Sequence, residues 1–416
     1  MIKVNKPKIR FKNFNDSWSL RKLSDTQTDF KDGNYGEAYP KETDLTSSTQ
    51  GVPFLRGSDL DNGKLTLTNA RYITQSKHNE LVSGHLIEDD IVIAVRGSLG
   101  SLGYVGPDNE GWNINSQLAI IRTRKIELIG NYLIQFLLSN RGNKEISSHI
   151  TGTALKQLPI KQLKNIKVPI PKIEEQSAIG SLFRTLDDLL VSYKDNLANY
   201  QSLKAVMLSK MFPKAGQTVP EIRLDGFEGE WEEKKLGEIV DIVGGGTPDT
   251  NVKEYWNGEI NWFSPTEVGN SIYLDTSEKR ISELGLQKSS AKILPANRTI
   301  LFTSRAGIGS VGIITKDSTT NQGFQSLVIK EGIDIYFLFS YSSEITRYAL
   351  KHSAGSTFLE ISGKELGKMD IIIPTYEEQQ AIGAYFSILD NLINSHQEKI
   401  TQLETLKKKL LQDMFI

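Results

Sequence analysis

The stretch that decides the fold is Ile166–Phe212, IKVPIPKIEEQSAIGSLFRTLDDLLVSYKDNLANYQSLKAVMLSKMF, which recurs as Met369–Phe415, MDIIIPTYEEQQAIGAYFSILDNLINSHQEKITQLETLKKKLLQDMF. The two stretches match without a gap at 18 of 47 positions. A second repeat opens each half of the chain, because Pro7–Asp25 and Pro220–Glu238 share seven of 19 positions. The chain is therefore an internal duplication, in which each copy has an opening segment, a dissimilar middle and a common closing segment.

The closing segments predict two long helices. Apolar residues recur at steps of three and four, and the pairs Glu174-Glu175 and Glu377-Glu378 occupy the first turns, where carboxylates favour the positive helix end. Pro213 ends the first helix, and each helix of roughly 38 residues would be about 55 Å long. A long helix with one apolar stripe needs a partner, so we expect the two copies to pair as an antiparallel coiled coil. The residues predicted to pair the helices are Ile179, Phe183, Leu186, Leu190, Leu197, Leu203, Ile382, Phe386, Leu389, Ile393, Ile400 and Leu406.

The dissimilar middles predict mixed α/β domains. Short β-branched runs such as Ile91–Val95 and Thr299–Thr303 indicate strands, whereas Asn131–Ser139 and Ile335–Tyr341 indicate helices. The predicted fold class is α+β, with two mixed α/β domains in tandem, each followed by a long helix, and with pseudo-two-fold symmetry between the copies. The predicted boundaries are 1–165 for the first domain, 166–212 for the first helical region, 213–219 for a linker, 220–368 for the second domain and 369–416 for the second helical region.

Composition excludes several classes of protein. The 416 residues include no cysteine, which rules out thiol nucleophiles and thiolate metal sites, and the five histidines are scattered without metal-ligand spacing, so no metal site is predicted. No apolar run approaches the ~20 residues that a membrane span needs, and the N-terminal segment lacks the apolar core of a signal peptide. We therefore expect a cytoplasmic protein with no membrane contact.

Sequence motifs offer little support for catalysis. Gly307–Gly312 satisfies the pattern GxGxxG, but the apolar run Val311–Thr315 follows it, which favours a β-hairpin loop over a dinucleotide site. The chain contains no phosphate-binding GxxxxGK[ST] loop, and no serine–histidine–aspartate arrangement or carboxylate pair stands out. We predict no catalytic residues, which argues against a self-contained nuclease or methyltransferase.

Two arginines beside glycine-rich loops are the candidates for ligand binding. Arg96 in AVRGSLGSLG and Arg305 in TSRAGIGSVG occupy similar positions, and Asn113–Ile121 is similar to Asn321–Ile329. Glycines let a phosphate approach the backbone, arginine can bind phosphate or the edge of guanine, and amides can pair with adenine. The alternative is that the arginines bond to neighbouring carbonyls and the amides stabilise turns. The candidate DNA-contact residues are Arg96, Ser98, Asn113, Asn115, Gln117, Arg305, Asn321, Gln322 and Gln325.

The two halves differ in charge although the whole chain has a formal charge of −1. Residues 1–165 carry 22 Lys and Arg against 17 Asp and Glu, whereas residues 220–368 carry 16 against 21. If both halves bind DNA, the second half must do so through a small basic patch, or a partner must supply basic surface.

The repeated signature IPxxEEQxAIGxxFxxLD, at Ile170 and Ile373, and the opening PxIRxxxFxxxWxxxKL, at Pro7 and Pro220, resemble those of specificity subunits of type I restriction-modification systems. The resemblance extends over almost the whole chain. It implies that each middle is a target recognition domain that reads half of a split double-stranded DNA sequence. It also implies that the helices set the gap between the half-sequences and bind methyltransferase subunits, of which we expect two.

The same resemblance implies a non-catalytic chain in a complex with adenine methyltransferase and ATP-dependent endonuclease activity, the latter on restriction subunits. This chain would then bind no cofactor, and S-adenosylmethionine, ATP and Mg²⁺ would be bound by the partner subunits. The loops of Arg96 and Arg305 match a recurring feature of the family, so the resemblance implies that these arginines contact DNA. The amide residues are candidates because of their chemistry alone. The alternative interpretation is a coiled-coil adaptor that binds only proteins.

Overall fold

The computed structural model describes residues 6–214, 216–305, 307–355 and 359–415. The chain divides into two compact units, the first formed by residues 1–194 with 398–416 and the second by residues 195–397. The predicted segments that contain residues 1–5, Ala215 and Ile416, and the Arg305 loop that contains Ala306, lie partly outside the described residues.

The first unit contains strands β1–β12 and the helices α1–α4. The strands are β1 (Ser19–Lys22), β2 (Asp29–Asp32), β3 (Leu45–Thr46), β4 (Val52–Leu55), β5 (Leu60–Asp61), β6 (Lys64–Leu65), β7 (Arg71–Ile73), β8 (Ile91–Ala94), β9 (Leu102–Tyr104), β10 (Asn113–Ile114), β11 (Leu118–Arg122) and β12 (Lys167–Ile170). The helices are α1 (Gln75–Glu80), α2 (Gly130–Leu138), α3 (Asn140–Ser148) and α4 (Ile160–Leu163). Two four-stranded sheets have the orders β10-β4-β7-β3 and β2-β11-β8-β9, and β1 pairs with β12.

The central strand β8 explains how the first unit buries its core. Every residue of β8 is buried, and successive side chains of a strand point to opposite faces of the sheet. Ile91 and Ile93 therefore join a cluster that includes residues of α2, whereas Val92 and Ala94 join a separate cluster with Leu55 of β4. An unbroken apolar run is the pattern expected of a strand that is covered on both faces.

The second unit repeats this plan with longer strands. Its strands are β13 (Glu232–Lys235), β14 (Val240–Gly244), β15 (Trp256–Phe263), β16 (Tyr273–Leu274), β17 (Lys279–Ile281), β18 (Thr299–Phe302), β19 (Val311–Ile314), β20 (Ser318–Thr320), β21 (Gln325–Ile329) and β22 (Asp370–Ile373). Its helices are α6 (Leu236–Ile239), α7 (Glu283–Gln287), α8 (Ile335–Ser340), α9 (Ser342–His352) and α10 (Gly363–Leu366). The sheets have the orders β14-β21-β18-β19-β16, β17-β15-β20 and β13-β22.

The glycine-rich segment Gly307–Gly312 connects two antiparallel strands. β18 pairs with β19 in the register Ile300 opposite Ile313, and β19 begins at Val311, within the motif itself. The predicted β-hairpin is thus confirmed, and the motif lacks the strand–turn–helix context of a dinucleotide site.

The two long helices have the predicted length, and each contributes a segment to each unit. The first, α5, spans Ile173–Lys210, the second, α11, spans Tyr376–Asp413, and both contain 38 residues. Within the first unit, Lys407 pairs with Asp187 and Lys194 pairs with Glu404, so the α5 and α11 segments run in opposite directions there.

Two of the residues predicted to pair the helices lie outside the buried stripe. Leu203 and Leu406 are 41% and 44% exposed, and the neighbouring Lys204 and Lys407 turn inward to ion pairs instead. The prediction failed here because it used two successive steps of three residues. A helix turns every 3.6 residues, so repeated steps of three move the pattern away from the buried face.

Among the described helices, no segment combines the length and the apolar character that a membrane span requires.

Candidate nucleic-acid interface

Each unit presents a glycine-rich loop at the end of a central strand. In the first unit the backbone N–H of Gly100 donates to the carbonyl of Ala94, at 2.9 Å. In the second unit the N–H of Gly309 donates to the carbonyl of Thr303, at 3.0 Å. The two loops close with the same hydrogen bond, which places the two loop arginines at equivalent positions.

The Arg96 side chain lies against an aromatic ring. Its Cζ lies 5.4 Å from the centroid of the Tyr35 ring, within the range of a cation–π interaction. Its Nη1 donates to the Ser116 carbonyl at 3.2 Å and to the Tyr35 hydroxyl at 3.5 Å. The Tyr35 hydroxyl itself donates to the Ser116 carbonyl at 3.2 Å, so the three groups form one contact cluster. Arg96 remains exposed.

An acidic residue contributes to the electrostatics around Arg96. Burial raises the pKa of the Asp32 carboxyl at the end of β2, and the Arg96 guanidinium opposes that rise by stabilising the charged form. Arg96 thus interacts with an aromatic face, a carbonyl and a carboxylate of its own unit.

Close backbone packing brings the segment after β2 next to the turn that precedes β11. A Cβ atom at Gly33 would lie 2.2 Å from the carbonyl oxygen of Asn115, so only glycine fits there. The second unit repeats the approach, because a Cβ at Gly245 would lie 2.0 Å from the carbonyl oxygen of Asn321. In both units, three loops meet at the same end of the central sheet.

This packing corrects the alignment of the two turns. The side-chain Oδ1 of Asn115 accepts from the N–H of Gln117 at 2.9 Å, and the Oδ1 of Asn321 accepts from the N–H of Gly323 at 2.8 Å. Asn321 is therefore the counterpart of Asn115, not of Asn113 as the sequence similarity predicted. The sequences alone misled because both turns contain asparagine and glutamine at more than one spacing.

Two of the candidate amides are buried. Asn113 has no exposed surface; its Oδ1 is paired with Nδ1 of His78, and its Nδ2 lies 3.3 Å from Nδ1 of His85. Asn115 is also buried, and its Nδ2 donates to Oε1 of Gln117 at 3.4 Å. Asn115 thus holds the turn in shape, whereas Asn113 is paired with the two histidines. Gln117 itself is exposed.

The structure gathers the other first-unit candidates around the Arg96 loop. Ser98 is exposed within the loop, and the backbone N–H of Arg96 donates to the carbonyl of Gln117 at 3.2 Å. Arg96, Ser98 and Gln117 thus form one exposed group.

In the second unit the candidates are arranged differently. The Arg305 loop adjoins the turn at Gly323, since the N–H of Ser304 donates to the Gly323 carbonyl at 2.8 Å. Gln322 is exposed, and its Oε1 accepts a hydrogen bond from the hydroxyl of Thr247. Gln325 is the first residue of β21 and is only partly exposed.

The sequence prediction missed Tyr35, which supports the Arg96 side chain, and its counterpart in the second unit, Thr247, which donates to Gln322 instead. Tyr35 and Thr247 follow the close-packed glycines in the segments DGNY (32–35) and GGGT (244–247). An alignment of these two glycine segments could have identified both residues. That alignment becomes clear only when the contacts of the glycines are known.

Across the residues that the structure describes, no group of three or more His, Cys, Asp or Glu side chains could hold a metal ion.

Comparison with known protein families gives a match to both halves of the chain. Residues 18–199 and 228–405 each match the model of the type I restriction modification DNA specificity domain. Each match includes the arginine-bearing hairpin of its half.

The chain is also similar to individual curated proteins that are specificity subunits. The type I restriction enzyme MjaIX specificity subunit of Methanocaldococcus jannaschii is 38% identical over 192 residues, which covers 45% of this chain and 44% of that protein. The putative MjaX specificity subunit of the same organism is 25% identical over 410 residues, which covers 95% of this chain and 92% of that protein. The chain thus spans less than half of the first relative and nearly all of the second.

A solved structure has the same fold. The crystal structure of a type I restriction-modification system S subunit from M. genitalium superposes with a TM-score of 0.65 and covers 99% of both chains, at 16% sequence identity. At that identity the similarity establishes the fold, two tandem mixed domains with long helices, and nothing finer.

Proposed function

We propose, since the chain belongs to the type I restriction modification DNA specificity domain family, that it recognises DNA for a type I restriction-modification complex and has no active site of its own. The observation that carries this proposal is the double occurrence of one hairpin, with a loop arginine at equivalent positions in the two units. A protein that reads a split DNA sequence needs two such surfaces. The difference between their surrounding side chains would then give each surface its own target.

We propose that each unit reads one half of a bipartite duplex. Arg96 and Arg305 are the proposed base or phosphate contacts, because arginine can bind guanine O6 and N7 or a phosphate bidentately. Ser98, Gln117 and Gln322 are exposed beside them and are proposed as additional contacts. Their amide and hydroxyl groups can pair with base edges.

We further propose that α5 and α11 pair as an antiparallel coiled coil, relate the two recognition domains by pseudo-two-fold symmetry and set the gap between the half-sequences. The opposed ion pairs within each unit support this arrangement, since Lys204 pairs with Asp390 in the second unit as Lys407 pairs with Asp187 in the first. The helices would also bind two methyltransferase subunits. Restriction subunits would complete the complex, and S-adenosylmethionine, ATP and Mg²⁺ would be bound by these partners.

The charge difference between the halves shapes this proposal. Residues 1–165 carry an excess of Lys and Arg, whereas residues 220–368 carry an excess of Asp and Glu. We propose that the second unit contacts DNA through a small patch around Arg305 and that a methyltransferase subunit supplies further basic surface. Weaker DNA binding by the second unit would follow, because phosphate neutralisation supplies much of the affinity of such proteins.

Sequencing of adenine methylation in cells that produce this chain with its methyltransferase subunit tests the proposal. We expect one methylated motif made of two defined half-sequences separated by a gap of unspecified bases. Methylation without a split motif would contradict bipartite recognition. Failure of the purified chain to bind any duplex in the presence of the methyltransferase subunit would instead favour a protein-binding adaptor.

A further inference from the structure

The two loop arginines are equivalent in backbone position but differ in what holds them. In the first unit, Nη1 of Arg96 donates to the Ser116 carbonyl, and the guanidinium lies over the Tyr35 ring. None of the described residues accepts a hydrogen bond from Nε or Nη2 of Arg96. One edge of the guanidinium is therefore held by the protein, and the opposite edge is free.

The second unit lacks this support. Thr247 occupies the position of Tyr35, and its hydroxyl donates to Oε1 of Gln322 instead of contacting the arginine. Gly244 ends β14 where Asp32 ends β2, so the carboxylate is missing as well. Within the described part of the chain, no hydrogen-bond or ion-pair partner of the Arg305 guanidinium is found.

We propose that Tyr35 is a positioning residue that fixes Arg96 for the reading of a guanine in the major groove. The inference rests on the proposed function and specifies which base is read and by which atoms. Nε and Nη2 of Arg96 would donate to O6 and N7 of guanine. A free arginine side chain has many rotamers, and a guanidinium that is held before binding loses less freedom when it binds. The first unit would thus discriminate at this base pair more sharply than the second unit does at its own arginine.

Selection of bound duplexes from a random-sequence pool tests this with the purified full chain in the presence of its methyltransferase subunit. For Tyr35→Ala we expect the preference for guanine at one position of one half-sequence to fall by about twofold to fivefold, the range of an exposed cation–π contact. Tyr35→Phe should retain most of the preference, because the ring remains beneath the guanidinium. Binding to a duplex without the target should remain unchanged in both variants.

Thr247→Ala is the matched control at the equivalent position of the second unit. The Thr247→Ala variant should select the same first half-sequence, with the same guanine preference, as the unmodified chain does. A uniform loss of affinity for all duplexes in Tyr35→Ala would mean that Tyr35 only stabilises the fold, and an unchanged guanine preference would mean that it does not position Arg96; either result overturns the inference. If the unmodified chain selects no sequence at all, the proposed function itself fails. That result is distinct from failure of the inference, which is measured against an unmodified chain that does select a sequence.

Discussion

Arg10 and Glu175 form a bidentate ion pair between residues that are 165 positions apart in the chain. Nε and Nη2 of Arg10 donate to the two carboxylate oxygens of Glu175 at 2.7 and 2.8 Å, and the Glu175 side chain is 1% exposed. The duplication repeats the pair, because Arg223 donates to Glu378 at 2.8 and 2.7 Å. The opening motif and the start of each long helix therefore occur together because they bind one another.

The surroundings of the two Arg–Glu ion pairs differ in one hydrogen bond. The indole Nε1 of Trp18 donates to Glu175 at 3.0 Å, whereas the Nε1 of Trp231 has no hydrogen-bond partner within residues 6–214, 216–305, 307–355 and 359–415. A bond to a buried carboxylate contributes about 1.5–3 kcal/mol, and a buried donor without a partner contributes nothing favourable.

We therefore expect Trp18→Phe to destabilise the first unit by roughly 1–3 kcal/mol more than Trp231→Phe destabilises the second. Loss of packing area is similar in the two variants, so each serves as the control for the other. Hydrogen exchange measures the two units separately, since each peptide belongs to one unit. Equal losses of protection in the two variants would show that the indole bond contributes nothing.

The carboxyl group of Asp32 predicts a dependence of stability on pH. Its pKa is raised by burial, although Arg96 partly offsets the rise, so the folded state binds this proton more tightly than the unfolded state. The stability that this group contributes is thus greatest below its unfolded pKa of about 4 and falls as pH rises through the folded pKa. Asp32→Asn should raise the urea midpoint of the first unit at pH 7, and the difference should shrink towards pH 4. A variant that is less stable at pH 7 would contradict this sign.

Each long helix contains both residue types of the ion pair that joins α5 to α11. Asp187 pairs with Lys407 at 2.5 Å, and Lys204 pairs with Asp390 at 2.5 Å. In the gapless alignment of the closing segments, residues 187 and 204 correspond to residues 390 and 407. The first long helix alone therefore carries both members of the pair.

We predict that a fragment of residues 1–213 forms a symmetric dimer, with two Asp187–Lys204 pairs between the copies. Phe212 would take the place of Phe415, whose ring stacks on Phe183 at 6.2 Å. With methyltransferase subunits, the dimer should methylate a palindromic split site, and its DNA binding should be more sensitive to salt than that of the full chain because both recognition domains are basic.

Light scattering measures the oligomeric state of this fragment. Lys204→Asp should weaken the dimer, and the charge exchange Asp187→Lys with Lys204→Asp should restore it. A stable monomer of the unmodified fragment, or methylation of a site that is not a palindrome, would refute the prediction.

The proposed spacing role of the long helices gives a further prediction. Insertion of four residues after both Leu197 and Ile400, which are equivalent positions, would lengthen each helix by about 6 Å and turn it by about 400°. The apolar stripe nearly returns to register, so the pairing should survive. The methylated motif should keep both half-sequences and gain roughly two base pairs between them, at ~3.4 Å each. An active variant with the original gap would argue against the helices as the spacer.

The sequence predicted the features that depend on periodicity and repetition. The duplication, the two 38-residue helices and the hairpin at Gly307–Gly312 are all present. These features rest on local patterns, such as apolar spacing and glycine at a turn, that a single sequence displays directly. The misplaced Leu203 and Leu406 lie where the periodic pattern itself becomes ambiguous.

The candidate site was less predictable because its residues meet only through the fold. Tyr35 and Arg96 are 61 positions apart, and nothing in either segment indicates that they touch. Asn113 has the chemistry of a base-reading amide, yet its neighbours His78 and His85 bury it. Side-chain chemistry can be read from a sequence, whereas exposure depends on contacts between distant segments.

Methylome sequencing of cells that produce Arg96→Ala or Arg305→Ala together with the methyltransferase subunit tests the central claim most directly. We expect each variant to relax base preference in one half-sequence, by roughly 1–3 kcal/mol at one base pair, and to leave the other half-sequence and the gap intact. The two variants should affect opposite halves of the motif. If both variants methylate the unaltered motif with unaltered stringency, the arginine hairpins do not read the DNA.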